Sequence, residues 1–154
     1  APTQAPARTT CLAGALMVDN LKPEIRRRTM QAVKGKDTKL ELRLFSMLTR
    51  MGLRGWKKHV DGVYGKPDAA FAGRRVAVFV DGCFWHGCPR CRRTLPAVNG
   101  TYWRRKIARN KARDRINNSR LRRAGWTVVR IMEHEMTDRD RVRSRMLRAI
   151  GNGG

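Results

Sequence analysis

The sequence is short of acidic residues. Only 12 of its 154 residues are Asp or Glu, against 35 Lys and Arg, so the formal net charge is +23. A charge of this size favours a polyanionic partner, and nucleic acid is the commonest one. A merely well-solvated basic surface is the weaker alternative, because ordinary soluble surfaces mix charges of both signs.

Long apolar runs and aromatic residues are also scarce. No apolar run approaches the roughly 18 residues that a bilayer span needs, so we expect no membrane-spanning segment and no membrane partner. Hydrophobic residues nevertheless reach 41%, which is enough for a core and excludes a fully disordered basic tail. We expect a flexible extension over 1–20, a single domain over 21–150 and a flexible tail over 151–154.

Cysteine is rare, but it is clustered. Three of the four cysteines, Cys83, Cys88 and Cys91, lie within nine residues. This spacing is typical of zinc ligands, and a trio of thiols cannot pair off into disulfides, which indicates a reducing compartment. Zinc needs a fourth ligand, and the spacing leaves two candidates, His86 and His134.

The apolar spacing predicts alternating helices and strands. Leu40, Leu44 and Leu48 recur at helical intervals after a candidate N-cap, Thr38, and before a terminating glycine, Gly52. This pattern predicts a helix of roughly 13 residues, and three further helices are predicted over 22–34, 101–124 and 138–150. The predicted strands cover 55–60, 68–72, 75–81 and 126–131. This order predicts an α/β fold with a small mixed central sheet flanked by helices and a zinc loop beside it.

Two of the few acids fall at the ends of predicted strands. Asp68 starts one strand and Asp81 ends the next, so a tight turn between them makes the two carboxylates diagonal neighbours. Such a pair suits Mg²⁺, which can polarise a phosphate and activate water. The alternative is that each acid is neutralised by a nearby arginine.

Glu41 and the histidines are ambiguous from pattern alone. Glu41 follows Thr38 at the spacing of a capping box, which favours a structural role. His86 fits a zinc ligand, a solvated loop residue or a general base beside the carboxylates. His59 is interpreted as a partly exposed structural residue.

Aromatic and basic residues cluster in the second half of the chain. Phe84, Trp85 and Trp103 could stack on bases or wedge between them, although we expect one of the three to be buried. Residues 90–130 hold 14 Lys and Arg and a single acid, Asp114. A helix in this region would therefore present positive charge to DNA phosphates.

Several short motifs together resemble a known family over residues 27–136. The motifs are Thr29-Met30, Asp37-Thr38 through Glu41, Gly65-Lys66-Pro67-Asp68, Gly82-Cys83-Phe84-Trp85-His86, Trp103 with Lys106, Ile107 and Asn110, Asp114-Arg115, and Leu121 with Gly125-Trp126. They resemble the very-short-patch repair (Vsr) mismatch endonucleases, bacterial enzymes of the PD-(D/E)xK-like, restriction-endonuclease-like nuclease fold.

The resemblance implies roles for individual residues. It makes Asp68 the principal Mg²⁺ ligand, aided by the main-chain carbonyl of Val80, with His86 activating water and Glu41 supporting the site through hydration, which reverses the capping interpretation. It further implies a zinc site at Cys83, Cys88, Cys91 and His134, a DNA wedge of Phe84, Trp85 and Trp103, and contacts near the mismatch from Met30, Lys106 and Asn110.

The chain departs from the best-known member of that family at two positions. Asp81 stands where that member has a histidine, so Asp81 is expected to act as a second carboxylate ligand. His134 stands where it has a cysteine. Both changes leave metal chemistry in place.

The sequence thus predicts a Mg²⁺-dependent endonuclease that nicks one DNA strand beside a T:G or related mismatch in very-short-patch repair. It is expected to act as a monomer in the bacterial cytoplasm, at the nucleoid, with mismatch-repair proteins as potential partners. Two alternatives remain open: a non-catalytic zinc-containing nucleic-acid-binding module, and a nuclease of the same fold that recognises other sequences or structures.

Overall fold

The computed structural model of the protein describes residues 37–152. The predicted extension 1–20, the predicted helix 22–34 and Met30 lie outside the described residues, as do residues 153–154. None of the helices within the described part combines the length and apolar character needed to cross a bilayer.

The first described helix forms as its sequence pattern predicts. Helix α1 spans Lys39–Arg50, and the Thr38 side chain caps it by accepting a hydrogen bond from the backbone N–H of Glu41 at 3.3 Å. Gly52 follows with φ of +71°, a left-handed conformation that glycine adopts without strain. Leu44 and Leu48 of α1 are fully buried, so the apolar stripe faces the sheet.

A four-stranded mixed sheet forms the centre of the fold. Its strands are β1 (Lys57–Lys58), β2 (Ala69–Phe71), β3 (Val76–Asp81) and β4 (Thr127–Met132), arranged in that order. The first three strands are antiparallel, whereas β3 and β4 are parallel, with Val78 opposite both Ala69 and Val129. All four predicted strands are confirmed, although β1 is only two residues long.

Helices cover both faces of the sheet. Parallel strands need a long crossover, and helix α2 (Gly100–Arg123) provides it between β3 and β4. Helix α3 (Arg139–Asn152) ends the described chain, two residues beyond the predicted helix 138–150, and includes the first two residues of the predicted tail. The predicted mixed α/β fold is confirmed.

Alternate side chains of β3 enter two separate cores. Val76 and Val78 pack with residues of α1 and α3, whereas Ala77 and Phe79 pack with Leu121 of α2 on the opposite face. A strand buried on both faces explains the unbroken apolar run before Asp81. The first polar side chains therefore appear where β3 ends, and the candidate site lies at this edge.

Candidate active site

Asp68 lies just before β2, at the edge of the sheet where β3 ends. Its Oδ2 accepts a 2.7 Å hydrogen bond from the backbone N–H of Val80, which fixes the carboxylate beside the end of β3. Among the described residues, its Oδ1 has no hydrogen-bond partner. Burial, helped by the nearby negative charges of Glu41 and Asp81, raises the pKa of Asp68 to about 6, and the Val80 hydrogen bond opposes that shift only in part. The surroundings of Asp68 are therefore short of positive charge, which suits a divalent cation.

Asp81, the last residue of β3, is paired with an arginine. Arg130 of β4 donates from Nη1 to both carboxylate oxygens of Asp81, at 2.8 and 2.7 Å. The Arg130 guanidinium also lies 4.4 Å from the centre of the Phe79 ring. The charge of Asp81 is balanced, yet each of its oxygens keeps a further lone pair for another partner.

His86 is held by the carboxylate of Asp114, an acid to which the sequence pattern assigns no role in the site. Its Nδ1 lies 2.6 Å from Oδ2 of Asp114 on α2, and its Nε2 lies 3.5 Å from Oδ1 of Asp81. Arg130 reaches the other oxygen of Asp114 at 3.2 Å. An ionised carboxylate only accepts hydrogen bonds, so the 2.6 Å contact assigns a hydrogen to Nδ1. Nε2 makes no hydrogen bond to Asp81 at 3.5 Å, so in the neutral ring it carries the lone pair.

Glu41 caps helix α1, as its spacing from Thr38 predicts, and it also lies close to Asp68. Its carboxylate accepts from the Thr38 hydroxyl at 3.0 Å and from the backbone N–H of Asp37 at 2.7 Å, so it caps α1. It is also buried and close enough to raise the pKa of Asp68. The helix cap therefore fixes the position of this carboxylate at the edge of the site.

His59, predicted to be a partly exposed structural residue, lies against the carboxylates of Asp37 and Glu41. Its Nε2 lies 3.3 Å from Oδ1 of Asp37 and 3.6 Å from Oε2 of Glu41. Its backbone N–H donates to the carbonyl oxygen of Asp68 at 3.1 Å. His59 has a left-handed backbone, with φ of +48°, and sequence periodicity does not reveal such a turn.

The structure brings the three clustered cysteines together with His134. Their ligand atoms all lie within 4.8 Å of one another, and Nδ1 of His134 is 3.3 Å from Sγ of Cys83 and 3.5 Å from Sγ of Cys88. Tetrahedral zinc with ordinary bond lengths separates a sulfur and a nitrogen ligand by about 3.6 Å. The donor set and its spacing fit zinc, with His134 rather than His86 in the fourth position.

Four aromatic residues form a cluster in the loop after β3 and the first turn of α2: Phe84, Trp85, Tyr102 and Trp103. Ring centroids of Phe84, Trp85 and Trp103 lie 5.2 to 5.6 Å apart, and Tyr102 lies 5.1 Å from Trp103. Trp103 is buried, as expected for one of the three, whereas Phe84 and Trp85 are partly exposed.

Two polar side chains of α2 hold this aromatic cluster. The Lys106 ammonium lies 5.0 Å from the centre of the Trp85 ring, and Asn110 Nδ2 donates to the carbonyl oxygen of Trp85 at 2.9 Å. Trp85 is therefore tied to α2 through both its ring and its backbone.

These features define a class of protein. A mixed sheet with carboxylates and histidines at one edge, next to a helix rich in arginine, is the arrangement of a nuclease. The comparisons with known proteins agree, because the family model described as "DNA mismatch endonuclease Vsr" matches residues 18–93.

Relatives of known name identify the family of the chain. The type II nicking enzyme V.NaeI of Lentzea aerocolonigenes is 48% identical over 71% of this chain and 68% of its own. The DNA mismatch endonuclease Vsr of Escherichia coli is 33% identical, over 82% of this chain and 80% of its own. Among solved structures, the catalytic domain of the homing endonuclease I-Bth0305I matches with 21% identity and a TM-score of 0.49, over 76% of this chain and 98% of that one. The chain belongs to the Vsr family of DNA mismatch endonucleases, and it is a DNA endonuclease.

Proposed function

We propose that the protein nicks one strand of duplex DNA beside a T:G mismatch, in a Mg²⁺-dependent reaction that starts very-short-patch repair. One observation carries this proposal. At the edge of the sheet, the Asp68 carboxylate has no basic partner among the described residues and lies near Asp81 of the Asp81–His86–Asp114 cluster. The E. coli relative is named a DNA mismatch endonuclease, which supports a mismatched duplex as the substrate.

Asp68 is proposed as the principal ligand of the catalytic metal, with the Val80 carbonyl and Asp81 as further ligands. When bound there, Mg²⁺ would polarise the scissile phosphate and lower the pKa of the attacking water. Burial and the hydrogen bond from Val80 hold the Asp68 carboxylate in one orientation. Asp81 can contribute through a lone pair that Arg130 does not occupy, and Glu41 is proposed to orient the water molecules around the site.

His86 is proposed to take the proton from the attacking water. The short contact between Nδ1 and Asp114 keeps the hydrogen on that nitrogen, so the lone pair on Nε2 is available for the transfer. Asp114 then stabilises the positive charge that forms on the ring, and Arg130 holds Asp114 in place.

The DNA is proposed to lie along α2 and against the aromatic cluster. Phe84, Trp85 and Trp103 would form the wedge that opens the duplex, while Lys106 and Asn110 act near the mismatched pair, with Met30 contributing from outside the described residues. The Cys83–Cys88–Cys91–His134 centre is proposed to hold a structural zinc. Cutting one strand needs only one active site, so we propose that the protein acts as a monomer. We also propose that it contacts mismatch-repair proteins.

The test is strand-specific product analysis on matched, T:G and other mismatched duplexes. We expect nicking of the T:G duplex with Mg²⁺, no nicking with EDTA, and no nicking by Asp68→Ala, which should still bind DNA. Nicking by Asp68→Ala would overturn the assignment of the site. Equal nicking of matched duplexes would favour a sequence-specific nickase instead; several relatives carry the name type II nicking enzyme.

A further inference from the structure

The proposed catalytic machinery does not use His59, although this residue lies between two carboxylates at the edge of the site. Nε2 of His59 is 3.3 Å from Asp37 and 3.6 Å from Glu41, and only 18% of the side chain is exposed. An ionised carboxylate only accepts hydrogen bonds, so the 3.3 Å contact with Asp37 assigns a hydrogen to Nε2. The 3.6 Å contact with Glu41 is longer than a hydrogen bond and is an ion-pair contact.

The ring and the backbone of His59 also make specific contacts. The ring packs edge-on against Phe45 of α1, with centroids 5.7 Å apart, and the backbone N–H binds the carbonyl oxygen of Asp68. The backbone of His59 has φ of +48°, a left-handed conformation that residues other than glycine adopt at a cost in free energy. Strained residues held in place by their surroundings are common at active sites.

We propose that His59 is a positioning residue that keeps the Glu41 carboxylate turned towards Asp68, because its Nε2 is hydrogen-bonded to Asp37 and faces Glu41 at ion-pair distance. This inference rests on the proposed Mg²⁺-dependent nicking. Asp37 and Glu41 both lie against His59, and Glu41 is close enough to raise the pKa of Asp68. The positive edge of the His59 ring would therefore add to the helix cap in opposing an outward turn of the Glu41 carboxylate. Partners of this kind commonly change activity 10- to 100-fold when they are removed.

A matched pair of substitutions separates the donor from the shape of the side chain. Gln and Met are both unbranched and of similar length, but only Gln can donate a hydrogen bond. We expect His59→Gln to keep kcat within about threefold of the wild type, and His59→Met to lower kcat by about 10- to 100-fold with unchanged affinity for DNA. Equal kcat values for the two variants would overturn the proposal.

Two further variants test whether the effect is merely structural. His59→Gly adopts the left-handed backbone freely, so it should be at least as resistant to urea as His59→Met while losing the same activity. Lys58→Met removes the other donor to Asp37, at 3.2 Å, without touching Glu41, so kcat at saturating DNA should stay within twofold. A loss of kcat in Lys58→Met as large as in His59→Met would contradict a role through Glu41.

The closing experiment is a double-mutant cycle of His59→Met and Glu41→Gln, read out by kcat and by urea unfolding without metal. If His59 acts through Glu41, its removal should change kcat by less than twofold once Glu41 is altered, and unfolding should show a coupling. Additive effects in both readouts would refute the proposal. If the wild type nicks no duplex, the proposed function fails, and the unfolding cycle still decides whether His59 and Glu41 interact.

Discussion

Asp68 is the one carboxylate of the site without a basic partner among the described residues. Asp81 and Asp114 share Arg130, and Asp37 contacts Lys58 and His59. Burying an unbalanced carboxylate costs free energy unless it becomes protonated or binds a cation. The raised pKa of Asp68, at about 6, is the sign of that cost.

The first prediction concerns the stability of the metal-free protein as a function of pH. The folded state holds the Asp68 proton more tightly than an unfolded chain with the ordinary pKa of 3.8. The residue therefore destabilises the fold above pH 6, and this penalty disappears as the pH falls towards 4. We expect Asp68→Asn to raise the free energy of unfolding at pH 7.5 in EDTA by up to about 3 kcal/mol.

Urea unfolding of the wild type and Asp68→Asn at pH 4.5 and 7.5 measures this penalty. Comparing the two proteins cancels the titration of the other groups. A gain from Asp68→Asn that is the same at both pH values would contradict the prediction, because the penalty belongs to the ionised carboxylate alone. Mg²⁺ should stabilise the wild type and leave Asp68→Asn unaffected.

The second prediction concerns Asp114, which fixes the ring of His86. Asp114→Asn removes the negative charge and allows the opposite tautomer, so kcat should fall by about 10- to 100-fold with DNA affinity unchanged. Asp140→Asn, an acid in the first turn of α3, is the control and should retain full activity. Wild-type kcat in Asp114→Asn would show that His86 acts without this partner.

At the scale of elements, the start of the loop from Cys83 to Cys91 is tied to itself and to the turn after β4. The backbone N–H of Cys88 donates to the carbonyl oxygen of Cys83, and His134 approaches from the turn after β4. Gly87 lets the loop pass close to α2, because a Cβ there would lie 2.8 Å from Cγ2 of the branched Ile107 side chain. Metal ligation at this point would join two segments about 50 residues apart in the chain.

The third prediction is that zinc maintains this loop. Cys88→Ser, or a strong zinc chelator, should lower the unfolding midpoint by roughly 10 °C and abolish nicking. Metal analysis should find one zinc per wild-type chain, and added zinc should restore the chelated protein. An unchanged midpoint in the metal-stripped protein would contradict a structural zinc.

The fourth prediction concerns the aromatic cluster on α2 and the loop. Trp85→Ala should lower the preference for a mismatched over a matched duplex by about tenfold, since stacking on a base contributes roughly 1–3 kcal/mol. Tyr64→Ala is the matched control, because Tyr64 is an exposed aromatic residue that stacks on Arg120, 4.7 Å away, outside the cluster. Equal losses in the two variants would contradict a specific wedge.

The helices and strands could be predicted because their signals are local. Thr38, Gly52 and the spacing of leucines define α1 within 15 residues, and the alternation of β3 follows from its burial on two faces. The pairs of the site could not be predicted, because Asp114 meets His86 across 28 residues and Arg130 meets Asp81 across 49. Such contacts depend on the crossover through α2, which periodicity does not measure.

At the scale of the whole molecule, basic residues far outnumber acids. Helix α2 carries arginines and lysines along its length. Among the described residues, half of the ten acids lie at one edge of the sheet: Asp37, Glu41, Asp68, Asp81 and Asp114. The basic surface therefore attracts DNA, whereas a phosphate can approach this acidic edge only together with a cation.

The fifth prediction follows from this division of charge. Raising salt from 50 to 200 mM should weaken binding by roughly 10³- to 10⁵-fold if 6–10 phosphates are neutralised. The preference for a mismatch should stay constant, because phosphate contacts carry no sequence information. Binding titrations with matched and T:G duplexes measure both quantities, and clearly different salt slopes for the two duplexes would refute the prediction.

The position of His86 in the chain has a physiological consequence. This imidazole lies between Cys83 and Cys88, on the same short loop that carries Phe84 and Trp85. If the thiols hold zinc as proposed, losing the metal would displace the proposed proton acceptor and the proposed base-contacting rings together. Zinc starvation, or an oxidant that attacks thiols, would then abolish mismatch binding and strand cleavage in the same event, so a damaged enzyme would leave no stray breaks in the chromosome.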